Sequence, residues 1–239
     1  MTSATAAARR AAITGAVLTL AGIVLSGPVS MALVALHPQP AWAGPEAFAR
    51  AYHPIQAIPY FTGFLLVGGS VYLLAALQAL ANDHVRVRAT AALALAAAFA
   101  GLIFFNYIVQ TTFVPALARD YTPENGPLIA AFALSNPRAL GWAIEMWGYA
   151  VLGVATWLSA PVLADSGRLG RAAAALFVAN GPVSIVGALL TALQPGWVMR
   201  PAGYALFAGW NLLMIAMLAL TIAALRSRAR DAAAFSGAS

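Results

Sequence analysis

Six apolar runs, each long enough to cross a hydrocarbon core, dominate this 239-residue chain and restrict its fold more than any other feature. A helical span needs about 20 residues, and the runs lie near 12–36, 58–81, 90–116, 137–163, 171–193 and 201–225. Only 8% of the residues are charged and 62% are hydrophobic. A soluble domain carries about 25% and 45–50%, and a body this small could not hide the surplus. Lipid satisfies no backbone group, so the spans must be helices, and nothing alternates with the period of a membrane barrel. The expected class is all-α: a polytopic membrane protein with six transmembrane helices in one domain, 1–230, followed by a disordered tail at 231–239.

The arginines set the orientation. Arg9, Arg10, Arg86, Arg88, Arg168, Arg171, Arg226, Arg228 and Arg230 fall on one side of a six-span map, and Arg50, Arg119, Arg138 and Arg200 on the other, 9 against 4 of the 13 basic residues. The positive-inside rule then puts both termini in the cytoplasm and the chain in the plasma membrane. Ala41-Trp42-Ala43 resembles a signal-peptide cleavage site, but the apolar run before it exceeds the usual 7–15 residues of such a peptide. The first run therefore counts as a span. The two longest connections, 37–57 and 119–136, lie outside. In them, Pro45-Glu46 starts a short surface helix, and 127–134 is apolar enough to lie on the membrane or fold over the mouth of the bundle.

Composition also removes whole classes of chemistry. There is no lysine, hence no Schiff base to retinal or pyridoxal phosphate and no phosphate-loop lysine. There is no cysteine, hence no disulfide, thiolate metal site or iron-sulfur cluster. The formal charge of +6 follows from paired arginines at the ends of apolar runs, which is topology rather than a nucleic-acid surface. His37, His53 and His84 all sit outside the spans, which argues against a bis-His haem or a metal centre. GxSxG, HExxH and phosphate-loop motifs are absent. No cofactor and no metal is expected.

A tetrapeptide recurs. Gly27-Pro28-Val29-Ser30 in the first span matches Gly181-Pro182-Val183-Ser184 in the fifth, and the exits Gln39-Pro40-Ala41-Trp42 and Gln194-Pro195-Gly196-Trp197 match too. In the partner spans, Gly68-Gly69-Ser70 aligns with Gly209-Trp210-Asn211. The pattern reads as a parallel hairpin repeat of helices 1–2 and 5–6. Each proline should kink its helix and free a carbonyl, Val24 and Val178, to be met by Ser30, Ser184, Asn180, water or ligand.

Glu145 is the only acid inside a span. With Asn136 as N-cap and Pro137 as first helical residue, it lies about 12 Å below the outer interface, where an acid costs about 2.5–3.5 kcal/mol and needs a partner. Arg138, Trp142, Glu145, Tyr149, Leu152 and Thr156 share its stripe. The third span brings Asn106, Tyr107, Gln110 and Thr111, with Pro115 marking its outer end, and the sixth brings Tyr204, Trp210 and Asn211. The candidate ligand-binding set is Glu145, Asn106, Gln110, Tyr149, Trp142, Asn211, Arg200 and Asn180, around a pocket open to the outside. The plainer alternatives are interhelical glue for Asn106, Gln110 and Asn211, worth about 0.6–2 kcal/mol each. Trp42, Trp142, Trp197, Tyr60 and Tyr204, near the interface, read as belt residues before pocket residues. If Arg138 or Arg200 reaches Glu145, the pair is a fixed counter-charge; if both snorkel to water, the acid can carry protons.

The run from Asn136-Pro137 to Glu145-Met146-Trp147-Gly148-Tyr149, with Asn106-Tyr107 upstream, resembles uncharacterised bacterial multi-pass membrane proteins of about this size. The resemblance implies six helices and a distinctive block at helices three and four, and carries no activity. Three functions are expected in order. The first is binding or transport of a small hydrophobic or cationic molecule, with Glu145 as counter-charge or proton carrier. The second is an intramembrane enzyme using Glu145 as general acid or base, for which no second group is visible. The third is a membrane assembly subunit or homo-oligomer packed through small residues such as Ser184, Ala188 and Ala192. The lipid bilayer is the one partner common to all three, and no nucleic acid is expected.

Overall fold

The computed structural model describes residues 3–236, with side chains as far as Ser227. Among these residues there is no strand, and six helices are long and apolar enough to cross a membrane. The chain is an all-α multi-pass membrane protein. Its helices are α1 (Ser3–Val34), α2 (Pro45–Ala51), α3 (Pro54–Leu80), α4 (Arg86–Arg119), α5 (Gly126–Phe132), α6 (Leu140–Ala164), α7 (Gly167–Leu193) and α8 (Pro201–Ser236). The short α2 and α5 do not span and lie at one end, the loop end. The tight connections at 81–85 and 165–166 mark the other, arginine-rich end.

The six spans close into a ring in chain order. α1 packs on α3, α3 on α4, α4 on α6, α6 on α7, α7 on α8, and α8 returns to α1. Lipid supplies no hydrophobic drive between helices, so close approach at small residues has to hold them. Gly15 and Gly22 of α1 lie against the backbone of Leu73 and Leu66 in α3, and Gly153 of α6 lies against Gly181 of α7. A methyl group at any of these would force the pair apart. The arginine-rich half is filled by Phe99, Phe177, Leu74, Leu152, Leu163, Met214, Met217 and Leu218. The loop half is not filled, and the cavity described below lies there.

Several boundaries differ from the sequence reading. α6 begins at Leu140 rather than Pro137, because the Asn136 side chain accepts the Arg138 N–H at 3.1 Å and donates to Ala130 O at 2.6 Å, holding a turn instead of capping the helix. Glu145 is thus five residues into its helix, about 7.5 Å of rise rather than 12 Å. Pro115 does not end α4, which passes through a π turn at Val109–Phe113 and runs on to Arg119. The backbone of α8 continues to Ser236, through the first part of the segment expected to be a disordered tail, and 237–239 lie outside the described residues.

The two Gly-Pro-Val-Ser copies have different backbones. Around Pro28 the ladder widens to a π turn over Leu25–Val29, whereas α7 stays α-helical through Pro182. Neither serine meets the carbonyl expected for it: Ser30 Oγ donates to Leu25 O at 2.6 Å, and Ser184 Oγ to Asn180 Oδ1 at 3.2 Å. Of the small-residue stripe, Ser184 and Ala188 are buried within the bundle and Ala192 is exposed, so the three do not present one continuous outer stripe.

At the loop end, α2 and α5 fold over the protruding tip of α4 in a second small core of Phe48, Val109, Val114, Ala118, Ile129 and Ala133. Trp42 belongs to this cap, its ring 5.9 Å from Phe48. Burial in the cap pushes the Tyr52 phenol up from its usual range, against the opposing pull of the Arg119 guanidinium.

Candidate functional site

The loop half of the ring encloses a cavity of about 370 Å³, within the size range of small-molecule sites. Its polar focus is Glu145. The α6 stripe that carries Glu145 also carries Trp142 and Tyr149, and all three face the cavity. The opposite walls come from Tyr60 of α3, Tyr107 of α4 and Trp210 of α8.

Two neutral donors from α4 hold the carboxyl. Asn106 Nδ2 donates to Glu145 Oε2 at 2.7 Å and also to Gly141 O at 3.2 Å. Tyr107 O–H donates to Glu145 Oε1 at 3.1 Å. The Tyr107 and Tyr149 hydroxyls are 2.9 Å apart, and since the single Tyr107 proton is directed at the acid, Tyr149 donates in turn. The result is a chain of hydroxyls, Tyr149 to Tyr107 to Glu145, that ends on the carboxyl. Aromatic faces surround it, with Tyr149 edge-on to Trp210 at 4.9 Å and Tyr60 at 5.6 Å from Tyr107.

Among the described residues, no arginine reaches the acid. Arg138 and Arg200 are both exposed, and the salt bridges among the described residues pair Arg50 with Glu46 and Arg86 with Asp83, both outside this site. Both candidates sit near the water interface, where their long stems let the guanidinium stay solvated. Arg200 therefore drops out of the site.

The other expected residues divide by helix rotation. Glu145, Tyr149, Trp142 and Asn211 line the cavity. Asn106, 1% exposed, stands behind the acid and positions it. Gln110, one turn further along α4, points to the connection instead: its Nε2 donates to Phe132 O at 2.9 Å and its Oε1 accepts the Leu134 N–H at 3.4 Å. Trp142 Nε1 donates to Leu134 O at 2.8 Å, so Gln110 and Trp142 together pin the segment that roofs the cavity. Asn180 is fully buried and donates to Thr156 Oγ1 at 3.0 Å, while its Oδ1 accepts from Ser184 and from Trp210 Nε1. It joins α6, α7 and α8 and fixes the Trp210 ring. Asn211 donates to Phe207 O, and its Oδ1 lies over Gly27 of α1.

Several wall residues, Tyr60, Tyr107, Trp197, Tyr204 and Trp210, stand outside the expected binding set. Trp197, read as a belt residue, is 5% exposed and donates its indole N–H to Thr191 Oγ1 at 2.7 Å. Tyr60, also read as belt, faces the cavity. Trp210 had a usable signal, since it lies nine residues past Pro201, about 13 Å into the helix and too deep for an interfacial ring. No family model, no curated protein and no solved structure matches this chain.

Proposed function

We propose that this protein binds and transports a small hydrophobic cation through the loop-end cavity, which faces outside, with Glu145 exchanging the cation for a proton. One observation carries the reading: the carboxyl opens onto an aromatic-walled cavity and is held by two neutral donors without an arginine. A buried carboxylate without a cation is costly, so its resting state holds either a proton or a cation from the cavity. The walls suit the same ligand, because a cation over a Trp or Tyr face gains about 0.5–2 kcal/mol when desolvated. The hydroxyl chain from Tyr149 gives the proton a route to and from Glu145. The 9 to 4 arginine split supports cytoplasmic termini in a plasma membrane. An enzyme reading is less well supported, since Glu145 is the only acid among the lining residues.

The test is equilibrium binding of benzyltrimethylammonium to the full chain in lipid nanodiscs. Wild type should bind, and Glu145→Gln should bind at least tenfold more weakly with an unchanged melting profile. A wild type that does not bind, or a Gln variant that binds equally well, overturns the proposal.

A further inference from the structure

Building on that reading, we infer that the cavity opens sideways into lipid between the loop-end halves of α1 and α8, and that its ligand is a single-chain cationic amphiphile whose head sits on Glu145 and whose hydrocarbon chain lies out through this gap. The arginine-end half of α1 packs along α8. The two helices meet again at Gly27, where Asn211 Oδ1 lies so close that a side chain on Gly27 would strike it. The π turn at Leu25–Val29 that carries Gly27 packs chiefly on α3, and beyond it the last turn, Ser30–Val34, also packs on α3.

The exposure of the walls follows this parting. Of the residues lining the cavity, those classed as exposed are Met31 of α1, at 53%, and Tyr204 and Phe207 of α8, at 53% and 44%. All three sit at span depth, with Phe207 six residues past Pro201, about 9 Å of rise and close to the depth of Glu145. The surface there meets hydrocarbon, and the edges of the gap are a thioether and aromatic rings. The path along the bundle axis toward water is covered by contrast: Leu134, Trp197 and Val198 form the roof at 6%, 5% and 9% exposure, and Gln110 and Trp142 hold Leu134 through its backbone. A ligand that pairs with Glu145 through a cation and leaves through an apolar gap at the same depth must have an alkyl chain beside its head. The gap also gives the Pro28 copy of Gly-Pro-Val-Ser a use that the Pro182 copy lacks. The first opens a π turn where α1 parts from α8, whereas α7 stays α-helical against α6.

The experiment uses the full chain in nanodiscs and a dodecyltrimethylammonium carrying a diazirine at the far end of its chain, with crosslinks mapped by mass spectrometry. Crosslinks should concentrate on and around Met31, Tyr204 and Phe207, and an excess of benzyltrimethylammonium should displace them. Filling the gap with Met31→Trp and Phe207→Trp should reduce long-chain crosslinking by at least tenfold more than it reduces benzyltrimethylammonium binding. If the short cation binds through Glu145 but the chain end labels the roof, or labels the helices uniformly, the sideways gap is wrong and the cation site survives. If neither cation binds, both readings fall.

Discussion

Tyr107 of α4 and Glu145 of α6, 38 residues apart in sequence, share a hydrogen bond of 3.1 Å at the wall of the cavity. The same phenol lies 2.9 Å from Tyr149. Tyr107→Phe keeps the ring and removes both bonds, so it separates the hydroxyl chain from the packing. A net loss of about 1 kcal/mol per neutral bond is usual, rising to about 3 kcal/mol where a partner is left unsatisfied. The melting temperature in detergent should fall, cation affinity should change less than in Glu145→Gln, and proton-coupled uptake into liposomes should slow by at least tenfold. Uptake at the wild-type rate would show that the hydroxyl chain carries no proton.

Protons and cations compete for one carboxyl in the proposed mechanism. The sign is fixed: benzyltrimethylammonium affinity should fall as pH is lowered, because the protonated acid has no charge to offer. Glu145 is the only carboxyl among the lining residues, whose other titratable side chains are the phenols of Tyr60, Tyr107, Tyr149 and Tyr204. Binding measured across a pH series should lose its slope in Glu145→Gln. A slope that persists there would assign the titration to another group.

Glu145→Leu should behave differently from Glu145→Gln. The amide oxygen of Gln can still accept from Asn106 Nδ2, whereas Leu removes the shared acceptor and leaves Asn106 only Gly141 O and Tyr107 only the Tyr149 hydroxyl, at about 1–3 kcal/mol for a buried donor. Thermal unfolding in one detergent compares the two, and equal melting would mean that the carboxyl contributes no cross-helix bonding.

Asn180 holds three helices through one side chain. Asn180→Leu orphans Ser184 Oγ and the Trp210 indole N–H and removes the donor to Thr156 Oγ1, which keeps its own bond to Gly153 O, and should cost about 2–4 kcal/mol. It should also free the Trp210 ring, seen as a shift in tryptophan fluorescence. An unchanged spectrum would mean that Trp210 is held by its ring contact with Tyr149 alone.

Because the chain has no cysteine, single ones report its topology cleanly. Asn82→Cys and Glu124→Cys place thiols on exposed positions at opposite ends of the bundle. An impermeant maleimide added to intact cells should label position 124 and spare position 82. The reverse would invert the orientation and turn the cavity toward the cytoplasm.

What the sequence determines on its own is whatever depends on the solvent and on local backbone chemistry. A chain so apolar must satisfy its backbone inside helices, and six runs of sufficient length leave room for six spans. Proline starts α8 at Pro201 and α2 at Pro45. Glu145 is conspicuous because an acid inside a span is rare. Helix rotation, by contrast, is set by contacts between distant residues, such as Gly22 against Leu66 or Asn106 against Glu145. The periodicity of one helix cannot state them. That is why Gln110 turns out to hold the roof, why Trp197 and Tyr60 turn inward, and why Arg200 stays in water. The Gly-Pro-Val-Ser copies make the division plain. Identical residues open a π turn over Gly27, where Asn211 presses from α8, and stay α-helical at Gly181, where α6 packs close, so the surroundings chose the backbone that the tetrapeptide left open.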